Sequence, residues 1–310
     1  MSKYNVALLK DYIKIMCDKL VNTIYYLFHY GNNDIIVNAF IKFKYGKFIP
    51  NNLGDDINIA LVESLSGKKT RLYNSYLHFS LTNYMVIGSI IENFADKNSI
   101  IWGSGAIYGD PQKLNVFPKK VLAVRGRLTR NILLQKGIDC PEVFGDPALL
   151  LPYIYKPCKK KKWDLGLIPH MYDYDSRFIQ AYAENNRVHI INLKNYTDWH
   201  DVIDEIVQCR YILSSSLHGL IISDTYEIPN MWIKISDRLL GGSFKFLDYF
   251  SGVGRNTNNP YIPSGHDTVD DLCSIVMDSY EPIKYDPSSL INSCPFKLIN
   301  HDSFNYNTNI

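Results

Sequence analysis

Four polar segments of this chain combine residue types that can hold an anion and move protons. Residues 213–219 carry three serines that run into Leu217 and His218. Hydroxyls after an apolar run can cap a helix, whose first N–H groups then face an anion. A histidine in that first turn faces the same place, and a pKa near ~6.5 suits it to give or take a proton. Residues 124–130 read VRGRLTR. Arg125 and Arg127 stand where a strand should pass into a helix, and the planar guanidinium matches carboxylate and phosphate. Ion pairing with local acids is the plain use of the same pair, and Arg130 faces elsewhere. Trp102-Gly103-Ser104-Gly105 follows an apolar run, and its glycines let backbone N–H groups approach an anion closely, although a full GxGxxG is absent. Asn52-Leu53-Gly54-Asp55-Asp56 precedes a helical pattern. There Gly54 frees the backbone, and Asp55 or Asp56 can cap the helix or accept a proton.

Two further acidic pairs point to no site. Asp173-Tyr174-Asp175 matches the DxD pattern that can hold a metal-bound nucleotide, but three letters recur by chance and the segment reads as a loop. Asp270-Asp271 most simply starts a helix. With no HExxH and no clustered Cys and His, the sequence predicts no metal site.

Alternating elements must position these segments. Apolar runs predict strands at 35–43, within 84–91, at 100–102, 120–124, 163–168, 188–193, 211–213 and 231–235. Helical spacing falls at 56–65, 128–135, 176–185, 198–209 and 217–226. Residues 152–162, reading PYIYKPCKKKK, break the pattern and are expected to be a solvated linker. Strand–helix alternation on both sides predicts an α/β protein with parallel sheets in two domains, 1–155 and 156–310. In such folds the ligand lies at the carboxyl ends of the strands, here in a cleft between the domains.

Composition narrows the partners. The 310 residues carry 33 basic and 31 acidic side chains, so no global field attracts nucleic acid. Tyr supplies 23 residues, and rings stack on the C–H faces of sugars. The six cysteines lie far apart without a CxxC, which suits reduced thiols in a cytoplasmic protein. Lys10, Asp11, Lys14, Asp18 and Lys19 interrupt the first apolar residues, so no signal peptide is expected, and the charge-free stretch 72–91 carries Asn74, Ser75, His78, Ser80, Thr82 and Asn83, so no membrane span is expected. Residues 6–30 can form an amphipathic helix that packs on the body or touches a membrane surface.

Taken together and in order, these segments resemble the polysaccharide pyruvyl transferase family, most closely its bacterial exopolysaccharide and capsule branch. The likeness rests on NLGDDIN at 52–58, GSII at 88–91, WGSGAI at 102–107, VRGRLTR at 124–130, FGDPALLLP at 144–152, GLIPH at 166–170, SSSLHGLIISD at 214–224 and FKFLDYFSG at 244–252. It implies a GT-B-like fold of two Rossmann-like domains facing a central cleft. It also implies transfer of the enolpyruvyl unit of phosphoenolpyruvate to a sugar of a polysaccharide or its lipid-linked precursor, giving a cyclic pyruvate ketal. On that reading His218, Asp55 and Asp56 are the acid and base candidates. Arg125, Arg127, Ser104, Gly105, Ser215, Ser216, Leu217 and Lys245 bind the donor, on the side of residues 156–310 that carries the Ser-Leu-His-Gly turn. Asn52 and His170 bind the acceptor, and no metal or cofactor takes part. Family members often have Pro where this chain has Arg127, and some have Arg where it has Ser216. Lys245 or Arg127 would then hold part of the donor. A glycosyltransferase using a nucleotide sugar and a non-catalytic glycan-binding module are the alternative readings. A cytoplasmic location, with contact at the inner membrane surface, accompanies the first.

Overall fold

In a computed structural model, residues 3–29, 34–44, 47–75, 77, 81–158 and 160–299 are described. The chain opens with helix α1 (Lys3–His29), then strand β1 (Ile35–Val37) and the hairpin β2 (Lys42–Lys44) and β3 (Lys47–Ile49). Helix α2 (Leu53–Ser66), β4 (Thr70–Leu72), β5 (Asn83–Met85), α3 (Ile91–Phe94), β6 (Ser99–Trp102), β7 (Lys120–Ala123) and α4 (Arg127–Gln135) follow. The second half contains β8 (Trp163–Ile168), α5 (Arg177–Ala181), β9 (Val188–Ile190), α6 (Trp199–Val207), β10 (Cys209–Ser214), α7 (Leu217–Thr225) and β11 (Asn230–Trp232). Helices α8 (Phe244–Val253), α9 (Val269–Ser279) and α10 (Ser288–Asn292) complete it.

Two parallel sheets result. One has five strands in the order β4-β1-β5-β6-β7, the other four in the order β11-β10-β8-β9. Parallel strands need long crossovers and covered faces, which is why apolar runs such as Ile212-Leu213 and Ile101-Trp102 are fully buried. A continuous apolar cluster joins Leu53, Ile57 and Leu61 of α2 to Leu217 and Ile221 of α7. The carboxyl-terminal helices bind both halves. Helix α9 lies on β8 and β10, whereas α8 packs on α4. The Trp102 indole Nε1–H donates to the Leu290 carbonyl at 2.9 Å.

Several elements differ from the sequence expectation, and the strands expected at 188–193 and 231–235 stop at Ile190 and Trp232. The strand expected at 35–43 stops at Val37; Asn38 N–H still donates to the Tyr84 carbonyl, and its side-chain Nδ2 donates to Asn83 Oδ1 and the Phe94 carbonyl. The helix expected at 176–185 ends at Ala181. Asn185 closes that turn, its backbone carbonyl accepting from Val188 N–H and its side chain from Arg187 N–H. The segment expected as a solvated linker is partly anchored. Tyr155 stacks edge-on to Trp199 and donates to Asp204, and Lys161 Nζ donates to the carbonyls of Val207 and Cys209 at the end of α6. Lys160 and Lys162 are exposed. No helix among the described residues is long and apolar enough to cross a membrane.

Candidate active site

The carboxyl ends of strands from both sheets surround one cavity of about 490 Å³. Ser89 follows β5 and Ile107 follows β6. His170 follows β8, Asn192 follows β9, and Ser216, Leu217 and His218 follow β10. Asn52 and Asp55 enter from the start of α2, and Lys245 from the first turn of α8. The two halves are joined at this point. Leu53 N–H donates to the Leu193 carbonyl at 2.7 Å, and the Tyr196 hydroxyl donates to Asp56 Oδ2 at 2.7 Å. The site is thus assembled across the chain rather than within one segment.

The imidazole of His218 lies against Gly54. A Cβ at that glycine would fall 1.8 Å from Nδ1, so only a residue without a side chain lets the ring settle there. His218 Nε2 is buried without a hydrogen-bond partner, 4.0 Å from Asp146 Oδ2, which is equally unpartnered. Burial, with Arg125 and Lys245 nearby, pushes the His218 pKa down to about 3. Burial likewise lowers His170 to about 4, so both imidazoles are neutral at pH 7. The Asp55 carboxyl moves the other way. Burial, reinforced by Asp56 and Asp146 and opposed by Asn52 and Lys245, raises it to about 7. Its Oδ2 accepts from Asn52 Nδ2 at 2.7 Å. Lys245 is lowered to about 8 by burial and by Arg125, and remains mostly cationic at pH 7. The cavity therefore offers one carboxyl poised near neutrality, the buried cation Lys245 and two neutral imidazoles, with Lys194 and Asp175 also in its lining, a set able to bind an anion and exchange protons.

Of the residues expected from the sequence, Asn52, Asp55, His170, Ser216, Leu217, His218 and Lys245 line this cavity together. The others stand outside its lining. Asp56 accepts from the backbone N–H of Asn51 and Asn52 and so fixes the entry to α2. Ser215 donates to Asp173 and accepts from His170 N–H, and Ser236 also bonds to Asp173. The Asp173-Tyr174-Asp175 motif thus has its first carboxylate committed to holding the His170 loop. Ser104 is fully buried. Gly105 makes room for the Arg125 guanidinium, which a Cβ would meet at 2.3 Å. Arg125 itself is completely buried. Its Nε donates to Asp248 Oδ2 at 3.0 Å, and its other nitrogens to the Ala106 carbonyl at 2.7 Å and to Ser89 Oγ. It reaches the cavity through its field, lowering His218 and Lys245. Arg127 is exposed, with its guanidinium 4.6 Å from the centre of the Phe144 ring. Among the described residues, no group of three potential metal ligands occurs.

Sequence reasoning missed Asp146 and the contact role of Gly54. Asp146 precedes Pro147 and caps the short 3₁₀ helix Pro147–Tyr153, its Oδ1 accepting from Ala148 N–H. An Asp-Pro pair at a helix start is fully explained by capping, which conceals a second use of the other oxygen.

The sequence profile of the polysaccharide pyruvyl transferase family matches residues 23–237. The chain belongs to that family. Within the match lie the α2 start, the β10–α7 junction and Asp146, whereas Lys245 lies beyond it. Among similar proteins, an uncharacterised protein of Acanthamoeba polyphaga mimivirus is 28% identical over 224 residues, 68% of this chain and 74% of that one. The succinoglycan biosynthesis protein ExoV of Rhizobium meliloti is 25% identical over 210 residues, 66% of this chain and 62% of its own length. A solved structure of a functionally uncharacterised protein from Klebsiella pneumoniae superposes with a TM-score of 0.42 at 12% identity, over 85% of this chain and 100% of that one.

Proposed function

We propose that this protein moves the enolpyruvyl unit of phosphoenolpyruvate onto a sugar of a polysaccharide or of its lipid-linked precursor, closes it to a cyclic ketal and releases phosphate. Membership of the family and the likeness to a succinoglycan biosynthesis protein support this reading. The observation that carries it is the meeting of Asp55, His218 and Lys245 at one cavity, beside the start of α7. Phosphoenolpyruvate brings a phosphate and a carboxylate. Lys245 and the first N–H groups of α7 hold anionic oxygens, and their arrival raises the pKa of His218 so that it takes up a proton. His218 delivers this proton to the methylene carbon, leaving a cation at C2. The first sugar hydroxyl adds there while Asp55 takes its proton. The C2–O bond to phosphate then breaks, the phosphate leaves with the bonding pair, and Asp55 passes its proton to it. A second hydroxyl adds to C2 and returns a proton to His218. Asn52 and His170 stand on the acceptor side.

In this reading the two parallel sheets are the Rossmann-like domains of a GT-B-like pair, residues 1–155 toward the acceptor and 156–310 toward the donor. Contact with the inner membrane surface, where lipid-linked sugars lie, would use α1, on which Ile13, Ile24 and Phe28 are exposed. The test offers phosphoenolpyruvate and nucleotide sugars separately, with an aryl glycoside acceptor. A gain of one pyruvyl unit by mass is expected. A gain of one hexose would establish a glycosyltransferase, and binding without product a glycan-binding module. Lys245→Met should raise KM for phosphoenolpyruvate by roughly 10–100-fold, the worth of a charge-assisted contact.

A further inference from the structure

We propose that Asp146 is the positioning residue for His218: its free carboxylate oxygen orients the imidazole with Nε2–H toward it and leaves Nδ1 to the substrate. The consequence for turnover rests on the pyruvyl-transfer reading, but the orientation of the ring does not.

Asp146 and His218 are distant in sequence and come from different sheets, Asp146 just after the strand region that pairs Val124 with Phe144, His218 in the first turn of α7. Asp146 is fully buried and only Oδ1 is used by the backbone, accepting from Ala148 N–H at 3.0 Å. Oδ2 and His218 Nε2 are both buried, both without any partner, and lie 4.0 Å apart. Two buried polar atoms of complementary kind are costly apart and favourable together, so a small rotation of the ring joins them. Gly54 limits that rotation by occupying one face of the imidazole. With Nε2 turned to the carboxylate, Nδ1 is the remaining nitrogen of a ring that lines the cavity.

The groups facing the pair are Arg125, Lys245, Asp55, Asp248, Tyr249 and Tyr285. Burial raises Asp146 to about 6, opposed by its bond from Ala148 and by Arg125. Above that pH the carboxylate accepts from Nε2–H, and Nδ1 carries the lone pair that a proton-transfer step requires. Below it the pair holds one more proton, and Nδ1 carries the hydrogen that the first step of the proposed reaction delivers. The pair thereby supplies one limb of the pH profile, and it titrates as a unit rather than as two separate groups.

Asp146→Asn is the variant of choice. Its carbonyl oxygen can keep the Ala148 cap, while its amide presents hydrogens to Nε2, so the ring keeps a single hydrogen on Nδ1 and no longer takes up the second that it must deliver. Expected are a fall in kcat of roughly 10²–10⁴-fold, a KM for phosphoenolpyruvate within about threefold of the wild type, and loss of the limb that the pair supplies. A kcat within about threefold with the limb retained would overturn the proposal. Should Asp146→Asn not fold, the side-chain ¹⁵N spectrum of histidine-labelled wild-type protein decides, with His218 assigned by the signals lost in His218→Gln. Protonation at Nε2 at neutral pH is expected, and protonation at Nδ1 would sink the idea. A wild type that transfers no pyruvyl unit would end the functional reading, while the spectrum would still decide the pair.

Discussion

Alanine in place of Gly54 tests the placement of His218 most directly. Gly54 is the second residue of α2 and has no positive φ, so the backbone accepts alanine there and helix propensity favours it by up to ~1 kcal/mol. The new Cβ, however, would stand 1.8 Å from His218 Nδ1, 2.2 Å from Cγ and 2.5 Å from Cε1. Ordinary non-bonded contacts need roughly 3.5 Å, so the ring must retreat by about 1.5–2 Å. Asp146 lies beyond its Nε2 edge, and the open direction is the cavity. Overpacking of this kind costs about 1–3 kcal/mol, of which the helix gain offsets a part, leaving a net loss of about 0–2 kcal/mol. A reacting group misplaced by more than ~1 Å loses roughly 10²-fold in rate. Melting and turnover measured on the same preparation should therefore separate, with a melting point lowered by a few degrees and kcat lowered about 10²-fold. Wild-type melting together with turnover within about threefold would mean that the imidazole does not rest on Gly54, and the reasoning about His218 would fail with it.

Two other substitutions probe the groups around it. Arg125→Ala leaves Asp248 buried without its cation, a loss of about 3–5 kcal/mol, so urea unfolding should show a strongly lowered midpoint. An Arg125→Ala protein of unchanged stability whose KM for phosphoenolpyruvate alone rises would instead make Arg125 a donor ligand. Asp55 has a folded pKa of about 7 against an ordinary 3.8, so the folded state binds its proton more tightly than the unfolded chain does. Its ionisation therefore costs stability progressively as pH rises from 3.8 to about 7, and by a constant amount above that. Asp55→Asn escapes this cost while its amide oxygen can still accept from Asn52. The variant should gain nothing near pH 3.8 and up to ~4 kcal/mol above pH 7, while losing turnover. Urea titrations across that range check it, and a gain independent of pH would show Asp55 to be solvated in the free protein.

Much of the site was legible from local chemistry. A strand that ends in serines before a helical pattern puts His218 in a first turn, and Asn52 to Asp56 announce the start of α2 in the same way. Both readings need only neighbours in the chain, because capping, helix propensity and strand alternation act over a few residues. The parallel α/β class followed from the order of such elements. Element ends were read less well, as at 35–43, where the first strand stops at Val37 and the Asn38 side chain turns to Asn83 and the Phe94 carbonyl. Arg125 shows the limit most clearly. Its sequence position suits an anion clamp, but Asp248, brought beside it by the packing of α8 on α4, takes the guanidinium into a buried ion pair. In the same way, nothing near Asp146 in sequence calls for a histidine, and nothing near Gly54 calls for a missing side chain. A segment's own sequence determines its local conformation and which end of it is polar. Which group comes to stand opposite a given nitrogen or carboxylate depends on how the two sheets and the returning helices pack, because hydrophobic burial is non-directional and is satisfied only by the whole chain.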